Sequence, residues 1–278
     1  MREPLTVLVP TYNEEDSIRE CLESVKWADE IFVVDSFSTD RTLDICREYT
    51  DRIVQHEYVN SATQKNWAIP QSTHQWVMIV DSDERVDERL RISIQKALED
   101  PNGYDGFYVK RESFFLDKLI KHGGWHKEYI LRLFNRNRGR YQDRNVHACI
   151  EVEGATGHLE GTLYHHTYDN LDEYFEKFLR YTKWAADDLK KGGRRASWVN
   201  LALRPWMRFL KMYVLRLGFL DGKHGLVLSY LAAFSVFTKY ARLWEMNAGT
   251  ANEKNPETLP PRRSAGDGAQ PQGVRGKS

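Results

Sequence analysis

Asp81 and Asp83 stand two residues apart, directly after the apolar run at residues 76–80. That spacing can bring two carboxylates toward one point while Ser82 turns away. Hard oxygen donors of this kind suit Mg²⁺ or Mn²⁺, ions that complete their shell with water and substrate phosphates. A diphosphate leaving group needs such charge as its bond breaks. Two more polar motifs occupy comparable places. Pro10-Thr11-Tyr12-Asn13-Glu14-Glu15 follows the apolar residues 5–9, and Asp35-Ser36-Phe37-Ser38-Thr39-Asp40 follows residues 31–34. A single acid after a strand is most often a helix cap. Three acidic motifs at one sheet edge would crowd carboxylates around a crevice, which is costly without a cation or ligand there. The chemistry expected is a metal holding a nucleotide diphosphate.

The elements that must position these motifs alternate along the first hundred residues. Strands are expected at 5–9, 31–34, 52–54 and 76–80. Helices follow them: one capped by Asn13 with Ile18, Cys21, Leu22 and Val25 on its inner face, one from 38 to 40 onward, one over 60–68 and one over 87–98. This order predicts a parallel, doubly wound α/β sheet, which binds ligands at the carboxyl ends of its strands. Shorter strands are expected at 106–109, 129–134 and 162–165, between irregular loops. From Leu171 the chain reads as helical, with Leu171, Tyr174, Phe175, Phe178, Ala185 and Leu189 on one apolar face. The expected division is a catalytic domain over 1–168, split near residue 100 into a half that holds the nucleotide diphosphate and a half for the second substrate. A helical extension over 169–247 and a disordered Pro- and Gly-rich tail over 248–278 follow.

Composition bounds the rest. The 278 residues carry 40 basic and 40 acidic side chains, so bulk charge gives no argument for a nucleic-acid partner. Cys21, Cys46 and Cys149 show no metal or redox spacing and fit a reducing compartment. The N-terminus shows no signal-peptide pattern. The charge-free apolar run 225–238 is short of the ~20 residues that a membrane-spanning helix needs. Residues 197–218 read instead as a basic amphipathic helix. Arg204, Arg208 and Lys211 form one stripe, with Trp206, Phe209, Leu210, Tyr213, Val214 and Leu217 opposite. That pattern, with the reducing compartment, predicts a cytoplasmic protein peripheral on an anionic membrane surface.

The opening Pro-Thr-Tyr-Asn-Glu-Glu, the stretch from Val34 to Thr42 and the Asp-x-Asp-Glu block together resemble family 2 glycosyltransferases of the GT-A fold. Gln64-Lys65-Asn66, Arg132-Leu133-Phe134, Val146-His147 and Phe219-Leu220-Asp221-Gly222 resemble the branch of lipopolysaccharide core β-1,4-glucosyltransferases, over roughly residues 4–246. The resemblance implies an inverting, metal-dependent transferase. It would move glucose from a UDP-linked donor to a lipid-linked core or other envelope glycan. It places Pro10, Thr11, Tyr12, Glu14 and Ser82 in the nucleotide pocket, Asp35 on the base and Lys65 near base or phosphates. Asp81 would face the ribose and metal, and Asp83 would be the principal metal ligand.

Inversion by single displacement needs a general base for the acceptor hydroxyl. The branch carries Glu after Val-His where this chain has Ala148. The base is therefore expected at Asp143, with His147 beside it and Glu151 as a substitute. Arg132 is expected on a donor diphosphate or acceptor phosphate. The His165-His166 pair is a candidate source of a further metal ligand, and Trp125 beside Gly123-Gly124 is a candidate sugar-stacking residue. Two other readings share the acidic α/β pattern. A sugar nucleotidyltransferase would carry a Gly-rich basic phosphate loop where this chain has Pro-Thr-Tyr-Asn-Glu-Glu. A non-catalytic sugar-binding protein would have no need to concentrate carboxylates.

Overall fold

The computed structural model describes residues 2–125, 128–142, 149–168 and 170–253. The first half alternates as the apolar runs require: β1 (Leu5–Thr11), α1 (Ile18–Val25), β2 (Glu30–Asp35), α2 (Thr42–Cys46), β3 (Ile53–Gln55), α3 (Ser61–Ala68), β4 (Trp76–Ile79), β5 (Glu84–Val86) and α4 (Glu88–Glu99). The second half begins with β6 (Tyr104–Phe115), β7 (Lys118–Leu119), β8 (Glu128–Asn135), β9 (Gly139–Tyr141), β10 (Ile150–Val152) and β11 (Ala155–His166). It ends with α5 (Leu171–Lys191), α6 (Arg204–Leu210) and α7 (Lys223–Glu253).

One sheet carries the molecule, with strand order β3-β2-β1-β4-β8-β6-β11-β5 and β7 paired to β6. β3, β2, β1 and β4 run parallel, β8 is antiparallel to both its neighbours, and β11 returns parallel to β6. The expected architecture is thus present: a largely parallel central sheet between helices, with a helical extension. Both faces of β1 are covered. Leu5, Val7 and Val9 pack against α1 and α4 residues such as Leu22 and Ile94, while Leu8 packs on the other side with Phe32, Ala68 and Ile79. Burial on both faces is why these strands read as continuous apolar runs. Gly161 (φ +99°) lets β11 pass under α4, because a Cβ there would sit 2.1 Å from the Leu90 nitrogen.

Several boundaries differ from expectation for local reasons. Asn13 does not cap α1. It adopts φ 51°, and its Oδ1 accepts the Thr39 N–H at 2.8 Å, so it ties the loop after β1 to the loop after β2. Helix α1 starts only at Ile18, and α2 only at Thr42. Strand β5 escaped the pattern because it has three residues, two of them charged. β6 and β11 are each twelve residues long, not four, and register irregularities between them break the alternation. The buried stripe of α5 is Tyr174, Phe178, Thr182 and Ala186, while Leu171 and Phe175 remain exposed. Helix α7 continues through 248–253, which composition had assigned to the tail; residues 254–278 lie outside the described residues.

The extension is fastened to the sheet by Asp221, a buried carboxylate just before α7. It accepts the backbone N–H groups of Lys121 (3.3 Å) and His122 (2.8 Å), and Lys118 Nζ donates to its carbonyl at 2.7 Å. Wide π-type turns at Val199–Leu203 and Lys211–Leu215 flank α6 and rotate its faces relative to a regular helix. Arg204 consequently turns toward α7, donating to Tyr240 and lying over its ring at 5.3 Å. Phe209 and Met212 are buried, whereas Trp206, Met207 and Val214 are exposed. The expected separation into a basic and an apolar side is therefore blurred: Arg204 leans on α7 while staying exposed, Arg208 is half-buried, and several large apolar side chains face outward. Among the described residues no helix is long and apolar enough to cross a membrane.

Candidate active site

Because β1, β2 and β4 are parallel, their carboxyl ends meet at one edge, with Thr11 in register with Asp35. A pocket of about 690 Å³ opens there. Pro10, Thr11, Tyr12 and Glu14 line it from the first loop, Lys65 from α3, and Asp81, Ser82 and Asp83 from the loop after β4. The Thr11 hydroxyl is buried at this edge without a hydrogen-bond partner among the described residues. A buried polar group left unmatched is costly, so a ligand oxygen or N–H at this point would satisfy it.

Asp81 is held from two sides. Lys65 Nζ lies 2.6 Å from its Oδ1 and Arg132 Nη2 lies 2.8 Å from its Oδ2. Burial raises the Asp81 pKa, but these two cations outweigh it and hold the carboxyl well below the usual carboxylate range. Arg132 also reaches Glu84 Oε1 at 2.6 Å, and Glu84 Oε2 accepts the Asp81 N–H at 3.1 Å. Glu84 is fully buried and has a second cation, Arg111, at 3.7 Å.

Asp83 is surrounded differently. His165 Nε2 lies 3.3 Å and Lys177 Nζ 3.9 Å from its Oδ2. Burial raises the Asp83 pKa and lowers that of His165; their mutual attraction reverses both, leaving Asp83 below and His165 above its ordinary value. Lys177 sits between Asp83 and Glu173 (2.6 Å), which push its pKa up against burial. Among the described residues no three His, Cys, Asp or Glu side chains converge as a closed metal cage. Asp83 and His165 instead offer one oxygen and one nitrogen donor on the open side of the pocket. An open donor set suits an ion that takes its remaining ligands from water and phosphate.

Two residues expected in contact with the nucleotide are placed elsewhere. Asp35 is fully buried and does not line the pocket. Its carboxylate accepts from the Ser38 N–H (3.0 Å), the Ser38 hydroxyl (2.5 Å) and Gln55 Nε2 (2.9 Å), and so shapes the loop after β2. Arg132 lies beneath the pocket floor, spent on Asp81 and Glu84, so it positions a carboxylate and does not face a diphosphate. Trp125 packs edge-on against Phe115 of β6 and does not line this pocket. Asp143 and His147 lie outside the described residues.

The structure also adds residues that pattern reading overlooked. Lys177, Arg180, Tyr181 and Trp184 all line the pocket from α5. Their spacing of i, i+3, i+4 and i+7 is one helical stripe, a signal visible in sequence but masked by attention to the apolar positions alone. Arg111 and His165 come from β6 and β11.

Glu14 supplies a pH-dependent feature. Burial pushes its pKa up to about 7, with Asp83 adding to the rise and the Ser17 hydroxyl, 2.5 Å away, opposing it. The folded protein then keeps a proton that the unfolded chain, near 4.5, has released. Stability from this group is complete below pH ~4.5 and lost as pH rises through ~7. In EDTA, Glu14→Gln should gain about 1–2 kcal/mol over the parent between pH 5 and 7.5. Urea midpoints at the two pH values check this, and parallel pH responses would contradict it.

The glycosyl transferase family 2 model matches residues 6–155. The lipopolysaccharide core biosynthesis glycosyltransferase LpsC of Rhizobium meliloti (strain 1021) is 29% identical over 252 residues, covering 86% of this chain and 93% of that protein. An uncharacterized glycosyltransferase of Rickettsia typhi is 26% identical, covering 89% of each chain. Among solved structures, residues 1–349 of Staphylococcus aureus TarS align at TM-score 0.44 and 15% identity, covering 89% of this chain and 92% of that one.

Proposed function

The chain belongs to glycosyl transferase family 2, and on that premise we propose that it is an inverting, metal-dependent hexosyltransferase acting on an envelope glycan. The donor is a nucleotide diphosphate sugar, UDP-glucose in the first instance. The acceptor is lipopolysaccharide core or a related lipid-linked glycan, a reading supported by the printed name of the LpsC relative. The observation that carries the proposal is the pocket at the ends of β1 and β4, where Asp81, Asp83, His165, Lys65 and Lys177 converge.

The residues divide the work as follows. Tyr12 and Phe37, 53% and 54% exposed at the rim, offer ring faces to a nucleobase. Thr11 offers its unmatched hydroxyl to the nucleotide. Lys65 and Arg132 keep Asp81 ionised and fixed on the ribose and metal side. Asp83 and His165 would hold a Mg²⁺ or Mn²⁺, which when bound supplies positive charge to the diphosphate as the sugar departs. Lys177, Arg180 and Arg111 add cationic charge around the same phosphates. Asp143 is the proposed base that takes the proton of the acceptor hydroxyl, with His147 as its neighbour.

Residues 1–168 carry most of the donor site, α5 of the extension closes it with Lys177 and Arg180, and the extension also meets an anionic membrane on the cytoplasmic side. Trp198, Trp206, Met207 and Trp244 are exposed on that extension, the kind of side chains that enter a lipid interface. One assay tests the whole. UDP-glucose and core glycolipid in anionic vesicles should give UDP and a glucosylated product, with the enzyme sedimenting with the vesicles at low salt. Asp143→Asn should keep UDP binding and lose most turnover. Formation of UTP and glucose 1-phosphate when pyrophosphate is added, in place of UDP release, would favour a nucleotidyltransferase. Failure to sediment would remove the membrane from the account.

A further inference from the structure

A second cavity, about 460 Å³, lies between α5, α6 and α7, outside the donor pocket but sharing Tyr181 with it. Its walls are aromatic, with Trp125, Tyr168 and Tyr174 beside Tyr181, and two cations enter it: Arg208 from α6 and Lys239 from α7. Both are partly buried, and no carboxylate of a described residue pairs with either. Among the described residues the two buried cations are matched, Lys65 by Asp81 and Arg132 by Glu84. Burial, with Arg216 nearby, pushes the Arg208 pKa below its ordinary value. Burial, with Arg204 and Arg208, does the same to Lys239. Arg216, exposed beside the cavity, packs on Gly124 (φ +91°), where a Cβ would collide with its guanidinium. A fold that gathers like charges in a half-dry cavity bears a cost that an anion would remove.

We propose that this cavity is the acceptor's phosphate subsite: Arg208 and Lys239 bind a phosphate group on the acceptor, and the ring wall packs against the sugar that carries it. This rests on the transferase reading, because the shared Tyr181 wall sets the acceptor beside the donor. Convergent cations suit a phosphate, which offers several anionic oxygens, better than a carboxylate. Tyrosine and tryptophan faces give a sugar apolar contact and leave hydroxyls and the indole N–H for its oxygens. The same phosphate chemistry could belong to a sugar phosphate or to a phospholipid headgroup.

The test uses the full chain with glucose 6-phosphate as probe, followed by tryptophan fluorescence, and UDP with Mn²⁺ titrated separately. Saturable glucose 6-phosphate binding is expected in the parent and in Asp83→Ala. Arg208→Gln/Lys239→Gln should weaken it at least about tenfold, the loss of a charge-assisted contact, and leave UDP binding unchanged. The double variant should also melt at a higher temperature than the parent without ligand, because two repelling cations are gone. Added phosphate should raise the melting temperature of the parent alone. Equal glucose 6-phosphate affinity in the double variant would overturn the proposal, as would tighter binding of glucuronate than of glucose 6-phosphate. Loss of UDP binding in the parent would instead count against the transferase reading. Phosphatidylcholine vesicles carrying phosphatidylglycerol separate the sources: competition with the probe assigns the phosphate to a lipid headgroup, and its absence to the sugar.

Discussion

Arg132→Met is expected to lower the unfolding free energy by about 3–5 kcal/mol, the largest stability effect of any single change at the site. Arg132 is 5% exposed and joins Asp81 at 2.8 Å and Glu84 at 2.6 Å. β8 is antiparallel to β4, with Leu133 opposite Met78, which puts Arg132 beneath the end of β4. Methionine would fill much of the space but leave two carboxylates sharing a dry floor. Lys65 still covers Asp81, whereas Glu84 keeps only Arg111 at 3.7 Å. The loss should therefore fall mainly on Glu84, and Arg132→Met/Glu84→Gln should recover a large part of it. Urea unfolding of the three proteins measures this. A single variant within 1 kcal/mol of the parent, on the scale of an exposed ion pair, would contradict it.

Asp83→Ala should act on chemistry instead of folding. We expect donor turnover to fall about a thousandfold or more, as when a group aimed at developing charge is removed. Little stability should be lost. Lys177 retains Glu173 at 2.6 Å, and His165, freed of Asp83, can lose its proton near neutral pH. Single-turnover release of nucleotide diphosphate, beside a melting curve, separates the two effects. Turnover within tenfold of the parent would remove Asp83 from the donor site.

The donor side was readable from sequence because its signals are local. Short apolar strands, parallel order and a polar motif after each strand put Thr11, Glu14, Asp81 and Asp83 at one edge without reference to anything distant. What escaped depends on partners far along the chain. Asp35 follows its strand just as Asp81 does, yet Ser38 and Gln55 consume its carboxylate. Arg132 reads as a free strand-edge cation until β8 is set beside β4. The α5 stripe of Lys177, Arg180, Tyr181 and Trp184 becomes part of the pocket only once the helix folds back against the sheet edge. On α6, the π-type turns break the hundred-degree step on which an amphipathic reading depends, and Arg204 turns to Tyr240 of α7 while Arg208 is half-buried. The proposed base at Asp143 follows from the departure at Ala148 and from a carboxylate's staying ionised near neutral pH, and it lies outside the described residues.

The most direct test of a donor site built on Asp81 and Asp83 is release of nucleotide diphosphate from a panel of nucleotide-sugars, each with Mn²⁺, with Mg²⁺ and with EDTA. The account predicts slow hydrolysis of one donor, UDP-glucose foremost, that needs a divalent cation and stops in EDTA. Equal release with EDTA, or no binding of any donor in any condition, would contradict it.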